Sequence, residues 1–571
     1  MRRRPSAIAS EPQHTGSGIT RRAALVLGVK LGVAGVLGAR LHQLQIEEAE
    51  HYRLLAEENR INMRLIAPAR AQILDRAGRA LATNKQNFRV VMIREQAGDP
   101  EEVLDRLARV IEITPRQRTR VLDEMRQKTA FVPVVVAEHL SWDDFARINV
   151  NAPALPGIQP EVGLSRYYPN GLETAHVVGY VGRVTQRDLD DAADGASGGD
   201  PILKIPEFQI GKRGLEHGAE QKLRGQAGTR RIEVNAVGRV IRELDRAEGA
   251  RGDELHLTLD LGLQEFAHQR LGDQSAAAVL MDVQSGDVLA AVSTPSFEPN
   301  LFVRGISRKD YDALKNDHRP LHNKWANGMY PPGSTFKMVV ALAALEAGVV
   351  TPEERIFCNG GYELGRRTFH CWRRGGHGHV DLKASLEQSC DVYYYEIAKR
   401  TGIERIAAMA HRLGFGTRPD MPMPELKGGL IPDKAWKQRN REEAWLIGDT
   451  LNSGIGQGFV LATPIQLAVM TARLATGRAI EARILRAENG QPVPVAEAPP
   501  LGIDERHLDY VRAGMDAVVN TKRGTANRSR IADEGNRLAG KTGTSQVRNI
   551  TAAERAQGVF KNAQLPWHRR D

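Results

Sequence analysis

The alternation of apolar and polar positions predicts one membrane helix, two blocks of short strands and one fully buried helix. From Ala23 to Ala39 every residue is apolar or glycine except Lys30. Such a run sits at the short end for a bilayer span, and its central lysine must snorkel or face a partner helix. Beyond Arg40, Leu41, Leu44, Ile46, Tyr52, Leu54 and Leu55 trace an amphipathic helix toward Asn59. Alternation from Pro68 to Ala82, with a turn at Ala77-Gly78, predicts a hairpin. Residues 100–128 have a helical pattern, 131–137 a strand pattern, and the Ala/Gly/Ser/Asp stretch 190–200 reads as a mobile loop. Strands resume at Leu255–Asp260, followed by a helix around Leu263-Gln264. Ala276–Val283 and Val288–Ser293 then flank Gln284-Ser285-Gly286-Asp287, a second hairpin. Helices accumulate from Lys309 to Arg412, and a strand-like approach returns at Asn536–Gly540. Strands, a helical block and a further strand imply an α+β domain with helices packed on a central antiparallel sheet.

Met338–Leu345 is apolar on all sides, the mark of a helix buried in the middle of a domain. Pro331-Pro332-Gly333 ends what precedes it and opens that helix. Ser334 therefore stands at a helix mouth, where unpaired N–H groups and the dipole favour developing negative charge. Lys337 rises three residues later on the same face, and a desolvated lysine can take a proton from a serine. One Ser-x-x-Lys match is weak, since about two arise by chance in a chain this long. Two further motifs follow in order. Ser389-Cys390-Asp391 offers a hydroxyl and a carboxyl on one short loop, and Lys541-Thr542-Gly543-Thr544 follows Gly540, a glycine that lets a ligand come close. Asn452–Gly458 is glycine-rich but lacks a following Gly-Lys-Ser/Thr, so it reads as a tight turn beside the site rather than a phosphate cradle. The chain has no Gly-x-Ser-x-Gly elbow, Walker loop or His-Glu-x-x-His.

With 571 residues, 41% hydrophobic and 26% charged, the chain is long enough for two or more domains with their own cores. Its net charge of +10 is spread among acids, and only 5% of residues are aromatic, which argues against a nucleic-acid partner. Arg2, Arg3, Arg4, Arg21 and Arg22 precede the apolar run, so the positive-inside rule places residues 1–22 in the cytoplasm, with 23–40 as anchor and the bulk outside. A cleaved signal peptide or a twin-arginine export signal is the competing reading. The lack of a small-x-small cleavage site favours an uncleaved anchor.

All three cysteines fall in one window with His377, as Cys358-x12-Cys371-x5-His377-x12-Cys390. Three thiolates and an imidazole make a full tetrahedral set for structural zinc, wrapped by the turns at Asn359-Gly360-Gly361 and Gly375-Gly376. His370 and His379 are substitutes for His377. A disulfide, favoured outside the cytoplasm, and unlinked buried thiols remain the alternatives.

Ser-x-x-Lys, Ser-x-Asp and Lys-Thr-Gly together resemble the signature of penicillin-recognising serine acyltransferases. Arg70–Leu81 resembles the Arg-Gly-x-Ile-x-Asp-Arg-x-Gly motif that opens the non-catalytic pedestal of class B penicillin-binding proteins, with Ala71 where the family has glycine. Arg166–Tyr180 and Gly214–Arg239 match later pedestal segments, read as scaffold and inter-domain packing. Asp391, where division-type relatives have Asn, points to the elongation branch. The resemblance implies residues 41–254 as pedestal and 255–571 as transpeptidase domain. It implies a peptidoglycan D,D-transpeptidase of the inner membrane, single-pass, with the catalytic domain periplasmic and no organic cofactor. It also implies serine-type D-Ala-D-Ala carboxypeptidase chemistry. Ser334 would be acylated by stem peptides or β-lactams, with Lys337 as base, Ser389 relaying a proton and Asp391 holding Lys337 or the substrate amide. Lys541 and Thr542 would bind the terminal carboxylate, and the Ser334 and Thr544 N–H groups would form the oxyanion hole. A SEDS-family glycan polymerase and other elongation-complex proteins are the implied partners. A β-lactamase-like hydrolase and a catalytically inactive scaffold are the rival functions. Because the family continues with further strands and a helix beyond its Lys-Thr-Gly strand, the resemblance implies that a chain stopping at Asp571 is incomplete or poorly stable.

Overall fold

The computed structural model of the protein describes residues 21–43, 46, 61–193, 199–205, 207–235 and 240–545. Most of the expected helix toward Asn59, the tail before Arg21 and the segment after Ser545 lie outside the described residues. The chain forms two compact units, one from residues 1–66 and 228–248, the other from 67–227 and 249–571.

In the first unit, a helix spans Arg21–His42, and its 18-residue stretch from Leu25 is long and apolar enough to cross a membrane. Its 22 residues reach about 33 Å, enough for a hydrocarbon core. The unit's other described part is an antiparallel sheet in the order Ile61–Ile66, Gly228–Val234, Val240–Ala247.

The second unit is built on a seven-stranded sheet that joins distant parts of the sequence. The predicted hairpin is present as Ile73–Leu74 and Ala80–Met92, turned through Gly78 at φ 84°. Ile73–Leu74 also pairs in parallel with Leu255–Leu257, which pairs in turn with Leu485–Glu488. Val134–Leu140 and Ile158–Tyr167 both pair with Ala80–Met92. Backbone pairing thus crosses the expected boundary at residue 254. Helices Pro100–Leu107 and Pro115–Gln127 occupy the region with the helical pattern, and Val103, Leu104, Val121 and Met125 bury against Val90, Val134 and Val136. The expected loop from Asp190 begins inside the helix Gln186–Ala193, while 194–198 lie outside the described residues.

The three segments resembling the pedestal meet in a buried charge cluster. Glu216 lies 2.6 Å from both Arg70 and Arg166, and the Tyr168 hydroxyl donates to it at 3.1 Å. Burial pushes the Glu216 carboxyl up, yet the two guanidinium groups outweigh this and hold it below its ordinary value. This network locks backbone together, as a scaffold reading requires.

Toward the C-terminal half, Ala276–Met281 and Val288–Thr294 form the second predicted hairpin. Helix Lys337–Glu346 has nine of ten residues buried, so its apolar run lies wholly inside. Helices Asp391–Thr401, Ile403–Arg412 and Glu505–Asn520 pack around it. Two expectations fail here. The block from Lys309 to Arg412 contains four short strands, Ile356–Cys358, Gly361–Leu364, Arg367–His370 and Gly378–Val380, paired as two small ribbons. The approach at Asn536–Gly540 is not a strand: the Gly540 N–H donates to Met515 O and Leu538 O accepts from Asn520, so its hydrogen bonds go to a helix rather than a ladder.

Candidate active site

Ser334 lies in a 3-10 turn, Gly333–Phe336, that leads into the buried helix; the helix mouth is tighter than an α-turn. Gly333 has φ 57°, and a Cβ there would stand 2.4 Å from Thr544 O. Its N–H donates to Gly456 O at 2.9 Å. The glycine turn at 452–458 is therefore packed directly beside the serine, as its composition predicts. Close backbone approach is what both glycines supply.

Lys337 is fully buried and its ammonium has three acceptors: Asp391 Oδ1 at 2.7 Å, Ser389 O at 2.9 Å and Ser389 Oγ at 3.2 Å. From the other side Lys541 Nζ approaches Ser389 Oγ at 2.8 Å and Thr542 O at 3.0 Å. One hydroxyl thus sits between two ammonium groups and accepts from both, which frees its own proton for a third partner. Ser389 holds φ 55°, a left-handed conformation uncommon outside glycine, between helices Leu382–Glu387 and Asp391–Thr401. Strain of this kind is concentrated at functional sites. Burial, and then the Lys337 charge, push the Lys541 ammonium down to about 7, with Asp391 opposing.

The third motif is held at several points. Thr542 Oγ1 is 2.7 Å from Thr525 Oγ1, Thr544 O accepts from Gln457 Nε2 at 2.8 Å, and a Cβ on Gly543 would stand 3.1 Å from Thr335 Cγ2. The structure therefore brings Ser334, Lys337, Ser389, Asp391 and Lys541–Thr544 together around one cleft.

Two residues in this cleft escape sequence reasoning. Gln457 is one, a single polar side chain within a glycine turn. Trp372 is the other. Its backbone N–H donates to Asp391 Oδ2 at 2.9 Å, and its indole N–H reaches Gln388 O and Ser389 O, both at 3.1 Å. Its only sequence signal is adjacency to Cys371. Lys337 and the Trp372 N–H thus each use one Asp391 oxygen.

Cys358, Cys371, His377 and Cys390 come together with their ligand atoms all within 4.8 Å of one another. His377 Nδ1 lies 3.6 Å from Cys358 Sγ and 3.5 Å from Cys371 Sγ. Tetrahedral zinc, with bonds of about 2.0–2.3 Å, separates its donor atoms by about 3.5–3.8 Å, so the two His377–thiol distances fit and the donor types make a Cys3His set. No disulfide joins the cysteines. Hydrogen bonding from Cys390 and then His377 pulls the Cys371 thiol far down, while Cys390 is pushed up in exchange. His370 and His379, the substitutes, are exposed and stand outside the cluster.

The family model of the penicillin binding protein transpeptidase domain matches residues 276–560, and that of the penicillin-binding protein dimerisation domain matches 65–257. The chain is 37% identical to the peptidoglycan D,D-transpeptidase MrdA of Escherichia coli over 544 residues, covering 93% of this chain and 85% of that protein. It is similar in structure to the Helicobacter pylori penicillin-binding protein PBP2 solved in complex with MreC, with TM-score 0.74, 30% identity, and 85% and 90% of the two chains covered. A peptidoglycan synthase complex solved for the coordination of polymerization and crosslinking contains a chain 31% identical, with TM-score 0.64, covering 93% of this chain and 89% of that one.

Proposed function

The chain belongs to the penicillin-binding protein transpeptidase family, and we infer from this premise and from the cleft that it is a peptidoglycan D,D-transpeptidase of cell elongation. The observation that carries the catalytic reading is the cluster in which Lys337, three residues after Ser334, and Lys541 both hold Ser389 Oγ. Ser334 Oγ gives its proton to Lys337, which acts in this step as the unprotonated amine, and attacks the carbonyl carbon of the penultimate D-alanine. The oxyanion is received by the Ser334 and Thr544 N–H groups, which adjoin across Gly333. Ser389 hands its proton to the departing nitrogen and is reprotonated by Lys337, 3.2 Å away, with the proton taken from Ser334; the C–N bond breaks and D-alanine leaves. An amine on a neighbouring stem then attacks the ester, and Ser334 recovers its proton as the cross-link forms. Lys541 and Thr542 bind the terminal carboxylate. β-Lactams enter the same first step and leave Ser334 acylated.

Zinc at Cys358, Cys371, His377 and Cys390 is the finer proposal for the donor cluster. When bound, it supplies a structural cross-link behind the second motif. Cys390 lies between Ser389 and Asp391 in sequence, so fixing its sulfur fixes the loop that carries both. For location we propose an uncleaved anchor at 23–40, residues 1–22 cytoplasmic and the catalytic unit periplasmic, on the arginines preceding the span. Residues 41–254 are proposed as pedestal and 255–571 as transpeptidase domain. The relatives' complexes with MreC and in a peptidoglycan synthase support partners of that kind here; a SEDS-family glycan polymerase is proposed on the family resemblance alone.

Labelling with fluorescent penicillin, followed by peptide mass mapping, tests the assignment. Stable adduct on Ser334, absent in Ser334→Ala, is expected. Label that survives the substitution would overturn it, and rapid turnover would indicate a hydrolase.

A further inference from the structure

Ser389, the hydroxyl that passes a proton to the leaving group, occupies a backbone position that glycine ordinarily fills. The helix Leu382–Glu387 ends with the Ser389 N–H on Leu386 O at 3.2 Å and the Cys390 N–H on Ser385 O at 2.9 Å, a Schellman closure. Such an end places a left-handed residue just past the helix, and here that residue is Ser389 at φ 55°. The reaction uses a hydroxyl at this place, so glycine cannot relieve the strain and the surroundings must hold the conformation.

Trp372 supplies a holding contact of the right kind. Its indole N–H is shared between Gln388 O and Ser389 O, both at 3.1 Å. These carbonyls belong to the two peptide planes on either side of the Ser389 Cα. A peptide moves as one rigid plane, so restraining both fixes φ and ψ of Ser389 and the direction in which its hydroxyl leaves the backbone. The ring itself is 61% exposed and meets His377 edge to face at 5.5 Å, so it buries little apolar surface. Its other contact is of a different sort. The hydrogen bond to Asp391 Oδ2 comes from the backbone N–H, which any residue but proline supplies at position 372. The side chain therefore acts on Ser389, while the main chain serves the carboxylate that holds Lys337.

We propose that Trp372 is a positioning residue for the proton transfer from Ser389 to the departing nitrogen, acting on that step rather than on attack by Ser334. This rests on the transpeptidase reading and deepens it by separating the two steps within the second motif. An amide nitrogen takes the Ser389 proton as its C–N bond breaks, whereas a thiolester sulfur leaves with the bonding pair as a thiolate and takes none. A residue that aims Ser389 matters for the first kind of leaving group and not for the second.

The test uses the full chain in detergent and two acylating compounds. Benzylpenicillin departs through nitrogen, and the thioglycolate thiolester of N-benzoyl-D-alanine departs through sulfur. The readout is the ratio of their second-order acylation rates, penicillin over thiolester, so that a general loss of activity cancels. Trp372→Phe keeps a flat ring and drops the N–H. It is expected to lower the ratio at least about tenfold, through the limiting acylation rate, with the thiolester rate within about twofold of wild type. The melting temperature and the dissociation constant of the initial penicillin complex are expected to stay at their wild-type values. Equal losses with both compounds, total loss included, would show a merely structural role and overturn the proposal. A loss confined to the dissociation constant would make Trp372 a ligand contact and overturn it too, as would an unchanged ratio. Each of these leaves wild type acylated at Ser334 and the transpeptidase reading standing. Wild type that neither compound acylates would overturn that reading and the proposal with it.

Discussion

Lys337 Nζ lies 2.7 Å from Asp391 Oδ1, and the lysine side chain is wholly buried. A buried cation held by one carboxylate makes that carboxylate indispensable. Removing one partner of such a pair leaves an uncompensated charge, a cost of about 3–5 kcal/mol. Asp391→Ala is therefore expected to lower unfolding free energy by about that amount and to reduce penicillin acylation at least about a hundredfold. Asp391→Asn keeps one acceptor oxygen, enough for Lys337 but leaving its NH2 against the Trp372 N–H, and should fall between alanine and wild type. Denaturant melts and acylation rates check both. An alanine variant within about 1 kcal/mol of wild type would contradict the pairing.

The Lys541 ammonium, pushed down to about 7 by burial and then by Lys337, gives the cleft an alkaline limb near neutrality. A carboxylate is bound by the protonated form, so the second-order acylation rate, which reports the free enzyme, should fall as pH rises through about 7. The same group acts oppositely on stability. Between about 7 and the ordinary 10.5 the unfolded chain binds more protons than the folded one, so this contribution to stability rises with pH. Falling acylation in a chain that melts no earlier separates titration from unfolding. Lys541→Arg cannot lose its charge and should flatten the limb. A limb of unchanged midpoint in that variant would assign it elsewhere.

What could be read from sequence was local chemistry with a periodic or ordered signal. The all-apolar run 338–345 and the glycine turn at 77–78 each carry such a signal and stand where their pattern places them, and the ordered motifs at Ser334, Ser389 and Lys541 come together although no strand carries the last. The ribbons at 356–380 were not legible, because their strands are only three or four residues long and two are bounded by the cysteine cluster rather than by alternation. Pairing of Ile73–Leu74 with Leu255–Leu257 joins residues some 180 positions apart, beyond any periodicity. Trp372 and Gln457 were missed for a related reason. Each acts through hydrogen bonds to the backbone of a distant motif, which residue type does not reveal. The expected strand before Lys541 failed because residue pattern cannot say whether a ladder partner lies alongside.

Glu216 is buried between Arg70 and Arg166, and its carboxyl is held below the ordinary 4.5 although burial pushes the other way. Its stabilising contribution is complete above the unfolded value of 4.5 and is lost as pH falls through the lower folded value. Glu216→Gln is expected to cost about 3–5 kcal/mol at neutral pH. In the variant the acid side of the stability profile should flatten. Full acid sensitivity retained in Glu216→Gln would assign that limb to other carboxylates.

Gly333 has φ 57° and a Cβ there would stand 2.4 Å from Thr544 O, so any side chain pushes the third motif away from Ser334. Gly333→Ala should cut acylation at least about tenfold, since even small misplacement of reacting groups is costly. Near-UV circular dichroism of the variant would report whether the fold is otherwise kept. Wild-type acylation in Gly333→Ala would show that the close approach is dispensable.

The donor cluster at Cys358, Cys371, His377 and Cys390 leads to the most direct measurement. Three sulfurs and one ring nitrogen within 4.8 Å of one another, with no disulfide among them, leave either a metal centre or three packed thiols. Packed thiols would have no reason to share His377 Nδ1, which faces two of them at 3.5 and 3.6 Å. Elemental analysis of protein purified without chelator is expected to find about one zinc per chain. Removing it with a strong chelator should lower the melting temperature, and Cys371→Ser should reduce both metal content and melting temperature. The effect should extend to acylation, because Cys390 lies between Ser389 and Asp391 and its release loosens the loop that holds Lys337. Restoring zinc to chelated wild type should recover the acylation rate, whereas Cys371→Ser should recover little. Less than about a tenth of a zinc per chain in well-folded wild type would refute the site.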